Sequence, residues 1–376
     1  MKLPHAHVDP DGLEEFSVVF TDRSLNHMSQ KFIAVMQETL GLLRSVYGAD
    51  AALMVPGGGT YAMEAVARQL AGQARVLVLR NGWFSYRWSQ ILEMGAITAP
   101  ENITVCQARQ QDGSVQAPWQ PAPLTEVLAS IQTHKPKVVF APHVETASGM
   151  LLPDDYLKAV ADAVHAVGGL FVLDCIASGA VWVNMQSTGV DVLLSAPQKG
   201  WSSTPCAGLV CLSSRAREVV AATTSSSFTL DLKKWLQIAD GYVAGQASYH
   251  ATMPTDGIVK LHAAMLETQV DGFENCRERQ WQLGGQVRAL LEERGFASVA
   301  AAGFQAPGVV VSYTTDAAIK SGHKFAQAGI QSAAGVPLMC GEAADFSTFR
   351  LGLFGLDKLR DPAAATDRLA QALAQF

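Results

Sequence analysis

From about residue 50 to 215, short apolar runs alternate with stretches whose apolar residues recur at helical spacing. The runs at 51–55, 75–79, 103–106, 137–142, 170–176, 190–195 and 209–212 are rich in β-branched residues and have strand length. A strand that is apolar on both faces belongs inside a sheet covered on both sides. The segments between, 61–70, 124–132 and 154–167, are amphipathic and supply helices for that covering. The alternation predicts an α/β fold with a mostly parallel seven-stranded sheet between helices.

Beyond residue 257 the texture changes to long helical stretches, 259–294 and 361–375, flanking strand-like runs at 308–313 and 349–353. That pattern predicts a smaller α+β domain. The expected organisation is an N-terminal segment over 1–30 that contributes to the small domain, a large domain over 31–256 and a small C-terminal domain over 257–376, without internal repeats or low-complexity linkers.

Composition narrows the function. Hydrophobic residues make up 49% of the chain and charged residues 16%, which suits burial in a core and in a subunit interface. A formal charge of −6, with no Lys/Arg run longer than a pair, excludes a phosphate grip on nucleic acid. The six cysteines are scattered, without the paired spacing of a metal site, and fit reduced thiols in a cytoplasmic protein. No apolar core of a signal peptide follows Met1, and no run reaches the roughly 18 to 20 residues that span a bilayer. A soluble, cytoplasmic protein acting on small molecules, with no metal, is expected.

In an open parallel sheet, ligands collect beyond the carboxyl ends of the strands. The stretch Pro56-Gly57-Gly58-Gly59-Thr60 joins the first run to helix 61–70. Its glycines allow close backbone approach, the helix start offers free N–H groups and a positive dipole end, and Thr60 adds a hydroxyl, which together make a phosphate cradle. Asp174 ends an apolar strand, where a carboxylate is costly unless paired; a protonated pyridine nitrogen would keep both charges. Gln198 and Lys199 follow the sixth run. A desolvated amine near other cations has a lowered pKa, can attack an aldehyde and can shuttle a proton. After the second run, Trp83 or Phe84 offers a ring to stack on a flat heteroaromatic. Arg350 stands on an apolar strand and matches a carboxylate by its bidentate fork, with Asp345 or Glu342 as the competing structural partner. Singly, each has an ordinary explanation as a cap, a solvated group or packing; their order along the chain gives them a joint meaning.

Together these stretches resemble the class V aminotransferase family of fold-type I enzymes that use pyridoxal 5′-phosphate (PLP), most of all its alanine–glyoxylate and serine–glyoxylate aminotransferases. The likeness runs through 50–215 and recurs at 249–255 and 349–355. It implies an aspartate-aminotransferase-like fold whose large domain binds PLP, and a homodimer with shared active sites. It implies a ping-pong reaction moving an amino group from a small amino acid of the alanine or serine type to a 2-oxo acid, glyoxylate or pyruvate. By the same resemblance Lys199 is the Schiff-base lysine, Gln198 lies near the cofactor's phenolic oxygen and Asp174 pairs with the pyridine nitrogen. Gly58, Gly59 and Thr60 hold the phosphate, Phe84 is the stacking ring, and Tyr249 and Thr252 reach the neighbouring subunit's phosphate. Arg350 binds the substrate α-carboxylate.

Two departures from the family pattern stand out. Relatives carry consecutive hydroxyl residues after the glutamate of His143-Val144-Glu145; here Ala147 interrupts them, leaving Thr146 as the cofactor contact. Residues 20–29 compress into one short segment two N-terminal motifs that relatives keep apart, and since that region forms part of the substrate pocket, the change bears on substrate choice; Arg23 within it is a further candidate anion contact. Two other readings remain open: a cysteine desulfurase or other lyase of the same fold, with Cys340 as a mobile thiol, and a non-catalytic protein that kept the fold. Desulfurases of the family place histidines where Gln198 and Phe84 stand.

Overall fold

The structure, a computed structural model, describes residues 13–376; the beginning of the expected 1–30 segment and the residues after Met1 that bear on a signal peptide lie outside the described residues. An element that the apolar-run pattern does not mark comes first. Helix α1 (Gln30–Tyr47) starts where the Ser29 hydroxyl accepts from Phe32 N–H and ends at Gly48, which is left-handed with φ 63°. Its stripe of Phe32, Met36, Leu40 and Leu43 is fully buried.

The predicted sheet follows. Its strands are β1 (Ala51–Pro56), β2 (Val76–Arg80), β3 (Ile103–Gln107), β4 (Val138–Pro142), β5 (Leu170–Asp174), β6 (Val192–Ser195) and β7 (Ala207–Leu212). The order across the sheet is β1-β7-β6-β5-β4-β2-β3, and β7 runs antiparallel to both of its neighbours while the pairs from β6 to β3 are parallel. Helices α2 (Gly59–Leu70), α3 (Trp83–Met94), α4 (Leu124–His134) and α5 (Asp154–Ala166) connect the early strands. Parallel neighbours need such crossovers, and the apolar strands need the cover the helices give.

The expected single helix over 259–294 is two helices, Thr255–Asp271 and Phe273–Glu293. Gly272 between them takes φ 84°, a left-handed turn that no helix carries through. The second helix packs with Pro362–Leu373 on a three-stranded sheet in which Thr348–Gly352 lies between Val309–Tyr313 and Ala333–Ala334. A second apolar cluster joins the hairpin over 144–151 to one face of the small sheet; it includes Trp119, Met150, Val309, Val311 and Leu338, and the rings of Trp83, Phe84 and Phe354 pack on it. Among the described residues no helix is long and apolar enough to cross a membrane.

Candidate active site

The carboxyl ends of β1, β2, β4, β5 and β6 lead to one cavity of about 280 Å³. Gly59 and Thr60 form one side of it, Phe84 and Thr146 another, and Asp174, Gln198 and Lys199 complete the lining. Seven of the residues singled out from the sequence therefore converge on one space.

Helix α2 opens onto it. Gly58 is the residue before the helix and no side chain caps the first turn, so the leading amides keep their donors for a ligand. Asp174 lies near the opposite end, 8% exposed, accepting from Ile176 N–H at 2.9 Å. Burial pushes its carboxyl up to about 7; the Ile176 bond pulls the other way, the charge of Glu145 adds to the rise, and Arg87 and Lys199 oppose it.

Lys199 is half-buried, its Nζ 5.3 Å from the centre of the Phe354 ring. Burial lowers the pKa of its amine, and the charges of Arg350 and Arg87 lower it further, against the pull of Asp174. The loop that carries it is clamped. Trp201 is fully buried, with its ring centre 4.7 Å from that of Trp182 and its edge against Tyr47 and Phe273. Tyr47 donates to Ser195 Oγ at 3.1 Å, and Gly200 passes so close to the Gly179 carbonyl that any Cβ would collide with it.

Both candidate rings pack on the second apolar cluster, but only Phe84 also lines the cavity. Two guanidinium groups sit over Phe84: Arg87 at 4.6 Å and Arg350 at 5.4 Å from its centre. Arg87 also donates to Thr60 Oγ1 at 3.3 Å and lines the cavity. Sequence reasoning passed over it, although its place three residues after Phe84 puts both on one helix face.

Arg350 lies outside the cavity wall proper, with Nε donating to the Ala334 carbonyl at 2.7 Å. Neither Asp345 nor Glu342 pairs with it among the described residues; Glu342 instead accepts from the amides of Leu338, Met339 and Cys340. Ala147 gives its N–H to Glu145 Oε1, while the Ser148 hydroxyl donates to the Asn81 carbonyl. Tyr249 and Thr252 are not brought to this cavity. Both are exposed on the surface, their hydroxyls 3.3 Å apart. Arg23 is exposed as well, and its neighbours Ser24 and Leu25 are tied to Asp256. Cys340 is buried, its thiol donating to the Arg80 carbonyl at 3.4 Å and pushed up to about 12 by burial.

Comparison with known proteins bears on this geometry. The family described as aminotransferase class V matches residues 14–341. An L-aspartate–glyoxylate aminotransferase of Paracoccus denitrificans is 28% identical over 280 residues, 72% of this chain and 66% of that protein. A 2-aminoethylphosphonate–pyruvate transaminase of Burkholderia lata is 28% identical over 339 residues, 88% of this chain and 86% of that protein. The crystal structure of an alanine–glyoxylate aminotransferase from Nostoc sp. superposes with a TM-score of 0.78 at 25% identity, covering 93% of this chain and 88% of that one.

Proposed function

The chain belongs to the class V aminotransferases, PLP-dependent transaminases of fold type I, and on that premise we propose that it moves the amino group of a small amino acid to glyoxylate or pyruvate. The observation that carries this reading is the meeting of a depressed amine, Lys199, with a buried carboxylate, Asp174, in a cavity entered by an uncapped helix start. These features fit PLP: a carboxylate whose burial calls for a cationic partner suits the ring nitrogen, and free amides suit the phosphate.

When bound, PLP supplies an electron sink that makes the hydrogen on the substrate Cα acidic. In this reading Lys199 Nζ takes that proton and returns it on the other side of the transfer. Asp174 holds the ring nitrogen cationic. Gly58, Gly59 and Thr60 hold the phosphate, Gln198 and Thr146 bound the ring's edge, Phe84 covers its face, and Arg350 takes the substrate α-carboxylate. Tyr249 and Thr252, exposed on the surface, serve the phosphate of a second copy in a homodimer with shared sites. Residues 31–256 act as the cofactor domain and 257–376 as the small domain; the described part of the N-terminal segment is held by Tyr242, Tyr249 and Asp256 of the former, not by the small domain as expected. Six free cysteines fit a cytoplasmic setting.

The test is a panel of donors, namely alanine, serine, aspartate and 2-aminoethylphosphonate, mixed singly with purified holoenzyme. At least one donor is expected to bleach the visible cofactor band, and glyoxylate or pyruvate to restore it. A band that no donor bleaches overturns the proposal. The desulfurase alternative loses its nucleophile, because the Cys340 thiol is buried, bonded and held protonated. Cys340→Ala is accordingly expected to leave amino transfer unchanged, with no sulfide released from cysteine by either protein; sulfide release that depends on Cys340 would reverse that conclusion.

A further inference from the structure

Glu145 is fully buried in a short hairpin, Val144–Glu145 paired with Met150–Leu151, and forms no ion pair among the described residues. Its carboxylate is nevertheless saturated. Oε1 accepts from Phe84 N–H at 3.2 Å and Ala147 N–H at 3.0 Å; Oε2 accepts from Ser85 N–H at 2.8 Å and the Ser85 hydroxyl at 2.7 Å. Three of these four donors belong to the first turn of α3, where amides have no partners within the helix. The fourth belongs to the loop that carries Thr146. Gly82, just before α3, makes room for this arrangement: a Cβ there would stand 2.7 Å from Glu145 Cγ.

A carboxylate at a helix start completes the backbone and opposes the positive end of the dipole. Here it comes from another element, so it fixes α3 relative to the hairpin rather than merely capping it. The residue whose own amide it grips is Phe84, the ring facing the cavity. We propose that Glu145 is a positioning residue, which sets the pitch of Phe84 over the cofactor ring by locking the first turn of α3 to the hairpin beside Thr146. The assignment rests on the PLP reading above.

Glu145→Gln keeps the size but turns one oxygen into an N–H₂ group. In either orientation of the amide, that group confronts a backbone N–H, of Ser85 or of Phe84 and Ala147. The expected result is a rise of about tenfold in the PLP dissociation constant, as for a buried donor left without its acceptor. A fall in the visible circular dichroism of bound PLP, which reports how the ring is held, is expected with it. In a Phe84→Leu background the same substitution is expected to change neither reading further, since the effect passes through that ring.

Ser85→Ala removes one of the four bonds to Glu145, together with the hydroxyl's acceptance from the Asn81 and Gly82 amides, and is expected to shift both readings in the same direction, which decides the matter should the glutamine variant fail to fold. Wild-type dichroism and affinity in Glu145→Gln, or in Ser85→Ala if only that variant folds, would overturn the proposal, as would an undiminished effect in the Phe84→Leu background. A wild-type protein that gives no PLP band at all would overturn the PLP reading along with it.

Discussion

Lys199→Ala abolishes amino transfer and leaves the fold intact. The clamp around the loop explains the second half of that expectation. Trp201, Trp182, Tyr47 and Phe273 hold the backbone beside Lys199 through contacts that do not include its side chain, and Gly200 keeps its fit against Gly179. The first half follows from the amine. Removing a positioned proton-transfer group costs about 10²–10⁴-fold in rate, and a residue that also carries the cofactor stands at the upper end of that range. An amine works as a base only when unprotonated. Burial and the charges of Arg350 and Arg87 lower the pKa of Lys199 and so enlarge its unprotonated share relative to a solvated lysine, against the pull of Asp174. Three measurements check this: the rate of the half-reaction with the best donor, borohydride fixation of the cofactor followed by peptide mapping, and rescue by a small primary amine. Fixation is expected at Lys199 in wild type and nowhere in the variant. A variant whose half-reaction stays within about tenfold of wild type would remove Lys199 from the chemistry.

The sheet was legible because its signal is local. Six of the seven strands are buried along most of their length, as cover by helical layers on both faces requires, while the edge strand β3 is only partly covered and was marked by its β-branched run alone. The positions just beyond them could be read in advance for the same reason, since parallel strands deliver their ends to one edge. What the sequence hid depends on three-dimensional company. The break at Gly272 sits inside a pattern that is helical on both sides, and only its left-handed φ reveals the turn. Arg87 looks like any arginine on an amphipathic helix until Thr60 and Phe84 are seen beside it. Glu145 reads as part of a motif, but its four donors come from residues 84, 85 and 147, of which two lie some sixty positions away. Tyr249 and Thr252 mark the opposite limit, because both are exposed on the single chain and neither pattern nor burial singles them out; only the resemblance to the family did.

Asp174→Asn separates the electrostatic role of that carboxylate from its structural one. Asparagine can keep the acceptor for Ile176 N–H at the same place, so the turn after β5 holds while the charge disappears. With the ring nitrogen no longer held cationic, the half-reaction is expected to slow by roughly 10²–10³-fold, the scale found when one preorganised electrostatic partner is removed. In the cofactor-free protein the sign reverses. Asp174 is raised from an ordinary value of 3.8 to about 7, so between those values the folded state binds the proton and the unfolded state does not. Stability from this group is therefore full below about pH 4 and lost as pH rises through 7, on the order of 4 kcal/mol for a rise from 3.8 to about 7. His143 acts oppositely in part of the same window: burial lowers it to about 3, so its contribution to stability rises with pH up to its unfolded value of 6.5. The raw stability curve of the apoprotein thus mixes two slopes, and the difference between Asp174→Asn and wild type isolates one. That difference is expected to be small at pH 4, to grow in favour of the variant toward pH 8, and to shrink or reverse once PLP is added, because the cofactor returns a partner to the wild-type carboxylate. Chemical denaturation of both proteins at several pH values, with and without PLP, measures it. A difference independent of pH would mean that Asp174 is ionised throughout in the empty site, and a variant with wild-type turnover would mean that the ring nitrogen does not depend on it.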